Sequence, residues 1–376
     1  MDVKDALAEE LLARVLHWGP QQVAKERPYL QAMAAYKYDE YQQFSPGMRF
    51  VESLARWLAQ FPEGDARQRA YDFVKSRLVY CSSREMTHLV ECAYPDFIRP
   101  ILIQQAAQMI GPKGINCRYI SRIAASPEFR VLQRQTLFLG LSDGSRIDQF
   151  RRANLELNQE QIWQTHEIAE PRVNELLKKL AKDVGILCGT EPEESKFRTL
   201  VLLDDFSASG SSYYSFEPNE EGQYEGKIAK FQRSLANPSD PLAALVNLGD
   251  LRVVIQLYVA TEEAVRYLRE RSVNVWGNGV ECSVDAVQVI PKAMQLSPDP
   301  ADPMTDLIEQ HYDHSVFTRH FAKGGTNDAK YGYAACGLPV VLHHNTPNNS
   351  ICLLWSYEDR RVRGLFPRIT RHKEMP

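Results

Sequence analysis

The chain has 376 residues, of which 44% are hydrophobic and 24% charged, and its formal net charge is −4. This length accommodates two domains of ordinary size. No apolar run approaches the roughly 18 residues that a membrane span needs, so the composition is that of a soluble globular protein. The small negative charge excludes binding of nucleic acid through an overall positive field, and any phosphate binding must therefore come from local clusters.

The N-terminal residues 1–19 carry acidic side chains on an amphipathic helical pattern. Signal and transit peptides both carry basic residues instead, so we expect a cytoplasmic protein with no membrane partner. The seven cysteines are widely spaced and include no Cys-x-x-Cys pair. This usage is typical of reduced thiols, and neither a disulfide framework nor a zinc site is predicted.

Apolar residues at helical spacing dominate the first hundred or so residues. An amphipathic helix is predicted at 50–61, a second begins after Asp65, and a third begins at the capping box Ser82-x-x-Glu85. We assign the aromatic stripes of these helices to packing and not to a binding groove. The region 1–125 is therefore predicted to be an all-helical N-terminal domain.

Short apolar runs begin to alternate with helical segments near residue 135. Strands are predicted at 136–141, 199–203, 251–260, 284–290 and 338–343, with helices from Asn158 (broken or restarted at Pro171) and over 262–271. This alternation predicts an α/β domain at 126–376, with a mainly parallel sheet and helices on both faces. Such sheets bind ligands at the carboxyl ends of their strands.

Two adjacent acids and a loop of small residues follow the predicted strand at 199–203. The acids are Asp204 and Asp205, and the loop is Ser207, Ala208, Ser209, Gly210, Ser211 and Ser212. Small residues let backbone N–H groups converge on an anion, and a following helix N-terminus would add a favourable dipole. Two carboxylates beside a phosphate suit the vicinal hydroxyls of a ribose. The segment predicts a ribose 5-phosphate site, and the alternative is a pair of acids that cap a helix.

This segment resembles the fingerprint of the type I phosphoribosyltransferases, in which two acids precede Ala-Thr-Gly-x-Thr. Here the loop reads Ala208-Ser209-Gly210-Ser211-Ser212, and serine keeps the hydroxyl of each threonine. The resemblance implies that the acids hold the ribose 2′- and 3′-hydroxyls and that the loop holds the 5-phosphate of phosphoribosyl pyrophosphate (PRPP). Mg²⁺ would enter with the pyrophosphate and not through a dedicated protein site. We expect both acids to be required for binding and to contribute little to stability.

A second element of that family is a short loop that grips the pyrophosphate after an earlier strand. The residues in the matching place are Ser142, Asp143, Gly144, Ser145 and Arg146. Arg146 supplies positive charge and joins Asp204 and Asp205 in the predicted catalytic group. Asp143 departs from the pattern, because an acid repels pyrophosphate unless Mg²⁺ or Arg146 neutralises it. The alternative is a tight turn with solvated arginines. We expect Arg146 to face the same pocket as Asp205.

A third feature is the segment His343-His344-Asn345-Thr346-Pro347-Asn348-Asn349-Ser350. Asparagine both donates and accepts hydrogen bonds, so Asn345, Asn348 and Asn349 are predicted to bind the edge of a base or amide. The alternative is an ordinary turn. With the two earlier motifs, residues 50–376 are similar to the phosphoribosyltransferase-like proteins of bacterial conflict systems, some of which accompany retrons in anti-phage defence.

This resemblance implies a toxic or nucleotide-modifying effector that binds PRPP or a related ribosyl phosphate. It would react at ribose C1 through an oxocarbenium-like state, mainly by positioning and electrostatics. Two alternatives stay open. One is a catalytically silent PRPP or nucleotide sensor, which Asp143 and the long insertion after Ser212 favour. The other is a subunit of a complex with the reverse transcriptase and non-coding RNA and DNA of a retron, held through the helical domain.

Overall fold

The computed structural model describes residues 3–165, 169–189, 195–276 and 280–369. Its helices are α1 (Val3–Val15), α2 (Pro20–Tyr36), α3 (Phe50–Ala59), α4 (Asp65–Ser76), α5 (Ser83–Cys92), α6 (Arg99–Met109), α7 (Ile120–Ala124), α8 (Pro127–Arg134), α9 (Ile147–Ala153), α10 (Glu170–Cys188), α11 (Lys227–Ala236), α12 (Pro241–Leu245), α13 (Glu262–Trp276), α14 (Thr305–Gln310), α15 (Arg319–Lys323) and α16 (Cys352–Trp355). Its strands are β1 (Val79–Cys81), β2 (Thr136–Gly140), β3 (Ile162–Trp163), β4 (Thr199–Ser207), β5 (Arg252–Thr261), β6 (Glu281–Ile290) and β7 (Val340–Leu342). Short 3₁₀ helices lie at Tyr38–Glu40, Asp143–Ser145, Gln159–Gln161, Leu248–Asp250, Lys292–Met294, His314–Val316 and Tyr333–Ala335, and a π-helical segment lies at Ala93–Ile98. Within these ranges, no helix combines the length and the apolar character needed to cross a bilayer.

The chain divides into two compact units, and the N-terminal unit is discontinuous in sequence. Unit 1 consists of Met1–Met86 and Pro291–Pro376, and unit 2 consists of Thr87–Ile290. This division differs from the predicted one, which separates a helical domain at 1–125 from an α/β domain at 126–376. The reason is that β1 pairs in parallel with β7, which brings the C-terminal segment into the unit of the first helices.

Unit 1 is helical at its N-terminus, as predicted, apart from the short strand β1. The apolar face of α3 is buried through Phe50, Leu54 and Trp57, and the indole N–H of Trp57 donates to the Leu353 carbonyl at 2.8 Å. The predicted capping box is confirmed, because Ser82 N–H donates to the Glu85 carboxylate and Glu85 N–H donates to Ser82 Oγ.

Unit 2 contains the predicted parallel sheet, with strand order β3-β2-β4-β5-β6 and all pairs parallel. Successive side chains of a strand point to opposite faces. On β2, Leu137 and Leu139 join a core with α10, α11, α12 and α13, whereas Phe138 contacts Tyr94 and Phe150 on the other face. Helical segments therefore cover both faces, which confirms the predicted α/β class.

Two predicted elements differ from the structure. The strand predicted at 338–343 is the three-residue β7, and it pairs in unit 1 and not with the main sheet. The helix predicted from Asn158 is interrupted, because Asn158 caps a 3₁₀ turn and the two-residue edge strand β3 follows. The long helix α10 begins only at Glu170. A strand of two residues is too short to give a periodic signal in the sequence.

Candidate functional site

The carboxyl ends of β2, β4 and β5 meet at one edge of the unit 2 sheet, and the predicted motifs follow β2 and β4 there. A Cβ built on Gly144, in the loop after β2, would lie 2.5 Å from Oδ2 of Asp205 on β4. The loop that carries Arg146 is thus held directly against the acid. Both residues thus lie at one edge of the sheet, but that Arg146 faces the same pocket as Asp205 stays a prediction, as do their roles toward a ligand.

The two acids lie inside β4, which continues to Ser207 and pairs Asp204 with Leu257 of β5. The sequence predicts this strand at 199–203, so that it would end one residue before Asp204. Because side chains alternate along a strand, adjacent residues face opposite sides of the sheet. Asp204 lies on the same face of the sheet as Leu202, which belongs to the core formed with α11. Asp205 lies on the opposite face. The acids are therefore not an equivalent pair.

Asp204 is fully buried and accepts hydrogen bonds from three different segments. Ser142 Oγ of the loop after β2 donates to Oδ1. The hydroxyl of Tyr213 donates to Oδ2 at 2.8 Å, and Nζ of Lys227, the first residue of α11, lies 2.5 Å from the same oxygen. Asp204 therefore ties the loop, the turn after β4 and α11 together. The expectation that this acid contributes little to stability stays untested, and this geometry argues against it, because the buried Tyr213 hydroxyl donates to Asp204.

Asp205 has the more accessible carboxylate of the two, since its side chain is only partly buried. Burial and the neighbouring charge of Asp204 raise the pKa of Asp205 to about 6, and Lys227 acts in the opposite direction. A carboxyl group with a pKa near 6 is a common property of a ligand or catalytic site, although ion-pair networks produce it as well. Asp205 is the acid of this pair that a ligand can reach.

The loop after β2 is a turn in which several backbone carbonyl groups accept hydrogen bonds. Asp143–Ser145 form a 3₁₀ turn, in which the N–H of Ser145 donates to the Ser142 carbonyl at 3.1 Å. From β5, the buried hydroxyl of Tyr258 donates to the Ser145 carbonyl at 2.7 Å. Arg146 has a φ of 51°, in the left-handed region that few residues other than glycine adopt, and its carbonyl begins α9. Asp143 remains exposed.

Replacing Gly144 with alanine is expected to lower the free energy of unfolding by about 1–3 kcal/mol, which is typical of an inserted methyl group that the structure cannot accommodate. The new Cβ would overlap the Asp205 carboxylate, so the loop must move away from β4. Urea unfolding of the purified variant measures the loss. Gly249→Ala is the matched control, because a Cβ there meets only Asn247 Oδ1 at 3.6 Å. Equal stability of both variants would contradict the contact.

The loop after β4 is formed by small residues, as the fingerprint requires. Gly210 has a φ of 80°, and a Cβ there would lie 2.5 Å from Tyr267 Cδ1, so only glycine fits. Ser209 Oγ and Ser211 Oγ lie 2.9 Å apart. The hydroxyl of Ser207 is buried and has no hydrogen-bond partner among the described residues. A buried hydroxyl of this kind calls for a ligand or a water molecule.

The described structure of residues 207–226 contains no helix, so no helix N-terminus follows this loop directly in sequence. The chain makes turns and an excursion through the polar segment 217–225, and α11 begins only at Lys227. The N–H of Lys227 then donates to the Ser212 carbonyl at 3.0 Å. The first turn of α11 therefore holds the far end of the loop, although it does not follow the loop in sequence.

The asparagine segment lies in unit 1, where its amides are engaged. Asn345 Nδ2 donates to the Ile369 carbonyl at 3.2 Å. Asn348 Nδ2 lies 2.9 Å from His320 Nε2. Asn349 Nδ2 donates to the Tyr333 carbonyl at 3.2 Å. These bonds are those of an ordered turn, and a role in binding a base stays a prediction.

The described residues offer few ligands for a metal ion. Within them, no group of three or more His, Cys, Asp or Glu side chains could hold a metal. Of the three carboxylates in the predicted motifs, Asp143, Asp204 and Asp205, Asp204 already accepts hydrogen bonds from protein donors. A cation that takes most of its ligands from phosphate oxygens and water is compatible with this edge.

Sequence reasoning missed three residues that hold the site together: Lys227 and Tyr213, which contact Asp204, and Tyr258, which donates to the loop after β2. Each is a common residue type in an ordinary context, and Lys227 is separated from the motif by the insertion. One weak signal existed, because Gly226 precedes a basic residue and an amphipathic helical pattern. A Cβ on Gly226 would overlap the Tyr213 carbonyl oxygen, so this glycine allows the helix to begin against the loop.

Comparison with known proteins gives one match. A family model described as PRTase-CE, for phosphoribosyltransferases of conflict-effector type, matches residues 54–368. The matched range contains all three motifs and most of both units. No curated protein and no solved structure matches the chain.

Proposed function

The chain belongs to the PRTase-CE family, the phosphoribosyltransferase-like conflict effectors, and from that premise we propose that it binds PRPP or a related ribosyl-phosphate nucleotide at the carboxyl edge of the unit 2 sheet. The observation that carries the proposal is the contact of the Gly144 loop with Asp205 beside the small-residue loop of Gly210. A ribose 5-phosphate with a pyrophosphate at C1 presents a diol between two phosphate groups. At the sheet edge, Asp205 lies between the loop after β2 and the loop after β4. This arrangement is complementary to a diol with a phosphate group on each side.

Each group of the ligand has a partner in this proposal. Asp205 accepts hydrogen bonds from the ribose hydroxyls. The hydroxyls of Ser207, Ser209, Ser211 and Ser212 and the backbone of Ala208 and Gly210 hold the 5-phosphate. Arg146, with Ser142, Gly144 and Ser145, holds the pyrophosphate. Asp204 acts through the loops that it joins, because its own oxygens already accept protein hydrogen bonds.

The reaction proposed is cleavage or transfer at ribose C1. The bond from C1 to the pyrophosphate oxygen breaks, the electron pair leaves with pyrophosphate, and an acceptor forms a new bond to C1. The protein acts by fixing the positions of the ribose diol and the pyrophosphate. It also stabilises electrostatically the charges that develop as the bond between C1 and the pyrophosphate oxygen breaks. Mg²⁺, when bound to the pyrophosphate, neutralises part of its charge, and this offsets the repulsion that the exposed Asp143 exerts.

A toxic role in anti-phage defence is proposed from the family type, with a nucleotide or a base as acceptor. The partners proposed are the reverse transcriptase and non-coding RNA or DNA of a retron, or another defence subunit. Co-purification of nucleic acid with the protein from cells that carry the defence locus would support this partner. Recovery of the chain free of nucleic acid and of other subunits would count against it.

A second candidate function, the catalytically silent sensor, is favoured by one specific observation. Asp204 is closed off by Ser142, Tyr213 and Lys227, so a single accessible acid remains where the fingerprint has two. A site of this kind would bind the ribosyl phosphate without turning it over. The two candidates differ in whether bound PRPP is consumed.

Incubation with PRPP, Mg²⁺ and a mixture of nucleotides, followed by mass spectrometry, is expected to show loss of PRPP, release of pyrophosphate, and either a ribosylated acceptor or, with water as acceptor, ribose 5-phosphate. Calorimetry with PRPP alone measures binding in the same preparation. Binding together with turnover supports the transferase, and binding with intact PRPP supports the sensor. A folded protein that neither binds nor consumes PRPP would reject the ribosyl-phosphate site.

A further inference from the structure

We propose that Lys227 is a positioning residue of the site: its ammonium group, held against the buried Asp204, offsets the charge of that acid, so that the adjacent Asp205 meets the ribose as a carboxylate. This inference rests on the proposed function for its binding consequence, but not for its electrostatic one. No ligand contact is assigned to Lys227. It acts through Asp204 on the acid that meets the ribose.

The backbone around Lys227 fixes where its side chain points. Its N–H is bonded to the Ser212 carbonyl, and the N–H of Ile228 donates to the Tyr213 carbonyl at 3.2 Å. Gly226 has a φ of 120°, and a Cβ there would meet the Tyr213 carbonyl, so this approach is available only to glycine. The ammonium group reaches Asp204 and lies 5.1 Å from the centroid of the Tyr213 ring. Two backbone hydrogen bonds and two contacts of the ammonium group thus hold the Lys227 charge in place.

The charge matters because Asp204 and Asp205 are adjacent. Their repulsion opposes ionisation of Asp205, and Lys227 is the basic group that counters it. Other titratable groups on the elements packed against the acids are Arg146 and the exposed Asp143 on the loop after β2, Tyr258 on β5 and Tyr213 after β4. Both tyrosine hydroxyls stay protonated, because burial and the two acids raise the pKa of each far above its ordinary value. Removing Lys227 therefore leaves Asp204 largely uncompensated.

The sign of the effect follows from this arrangement. Without the Lys227 charge, the pKa of Asp205 rises further, and Asp205 stays protonated to a higher pH. A neutral carboxyl group is a weaker acceptor for sugar hydroxyls than a carboxylate. PRPP binding should then recover only at higher pH, whereas a residue with a purely structural role would lower affinity equally at every pH.

The test uses the full chain with Lys227→Met, with Lys227→Gln as a second neutral variant that can still donate to Asp204, and with Lys227→Arg as the rescue. Lys230→Met removes a charge from the exposed side of the same helix and serves as control. The first readout is the carbon-13 titration of the Asp205 carboxyl group without ligand, assigned with Asp205→Asn. The second is the PRPP affinity by calorimetry across neutral pH.

In the neutral variants the Asp205 midpoint is expected to rise by about one pH unit, a common size for the loss of one close opposite charge. If it moves from about 6 to about 7, PRPP binding near pH 6 weakens about fivefold and approaches its plateau near pH 8. The Lys227→Arg rescue and the Lys230→Met control should show the Asp205 midpoint and the PRPP affinity of the wild type.

An unchanged Asp205 midpoint in folded Lys227→Met and Lys227→Gln overturns the proposed role. An equal loss of affinity at every pH, without a shift of the midpoint, also overturns it. Absence of PRPP binding by the wild-type protein contradicts the proposed function instead, and the titration without ligand still decides the role of Lys227. The two failures are therefore distinguishable.

Discussion

Replacing Asp205 with asparagine is expected to weaken PRPP binding by roughly tenfold to one hundredfold, from the loss of one or two charge-assisted hydrogen bonds. The same change should raise the stability of the folded protein at pH 7, because an acid with a raised pKa is held in an unfavourable charged state there. Opposite effects on binding and on stability are typical of a residue that serves a ligand.

The pH dependence gives the sign of the stability effect. The folded protein holds the Asp205 proton up to about pH 6, whereas an unfolded chain releases it near pH 4. The folded state thus binds more protons between these values, so this residue lowers the stability as pH rises from about 4 to 7. The difference amounts to about 1–2 kcal/mol at pH 7, after allowance for solvent screening of a partly exposed group.

Calorimetry with PRPP and urea unfolding at a series of pH values measure both effects. Asp148→Asn is the control, because Asp148 is a highly exposed acid of α9 in the same unit. The wild type minus the Asp205→Asn variant should give a stability difference that grows toward neutral pH. A folded Asp205→Asn protein with wild-type affinity for PRPP would remove Asp205 from the site.

Replacing Asp204 with alanine is expected to lower the free energy of unfolding by about 2–4 kcal/mol, because the buried Tyr213 hydroxyl, the partly buried Ser142 hydroxyl and Lys227 lose their common acceptor. Ser142, Tyr213 and Lys227 come from three segments, so the loss also frees the loop after β2. Binding should fall as well, but as a consequence of the loosened loop.

A double-mutant cycle separates the ion pair from the other contacts. Urea unfolding is measured for Asp204→Ala, for Lys227→Met and for the double variant. We expect the double variant to be more stable than the sum of the single losses predicts, because each single change leaves a partner without its counterpart. A loss below about 1 kcal/mol for Asp204→Ala would show that the buried contacts do not depend on this acid.

The sequence predicted the fold where periodic patterns are long. The α3 stripe and the central strands β2, β4 and β5 carry clear periods or apolar runs, and each is found close to its predicted place. The two-residue β3 and the three-residue β1 carry no such signal, since their strand character comes from pairing with a distant segment. The unit boundary depends on that pairing and was not predictable from local composition.

The site was predictable in part for a similar reason. The acids and the loop of Gly210 are consecutive in sequence, and the edge that they share with Gly144 follows from parallel strand topology. Asp204 and Asp205 differ in part because Lys227 pairs with Asp204. In sequence, Lys227 is separated from the loop that it contacts by the segment 217–225. No local pattern indicates which side chain will reach back across such an insertion.

The parallel pairing of β1 with β7 has a consequence for how the chain folds during synthesis. Val79 pairs with Val340, so the ribosome must add 261 residues after Val79 (340 − 79) before its partner exists. At 5–20 residues per second this takes roughly 15–50 s. The rings of Tyr38 and Phe50, which contact Phe366 in the finished fold, stay uncovered for that time, while the contiguous Thr87–Ile290 unit can already fold. The helices that precede β1 are thus expected to complete their packing only after the contiguous unit has folded.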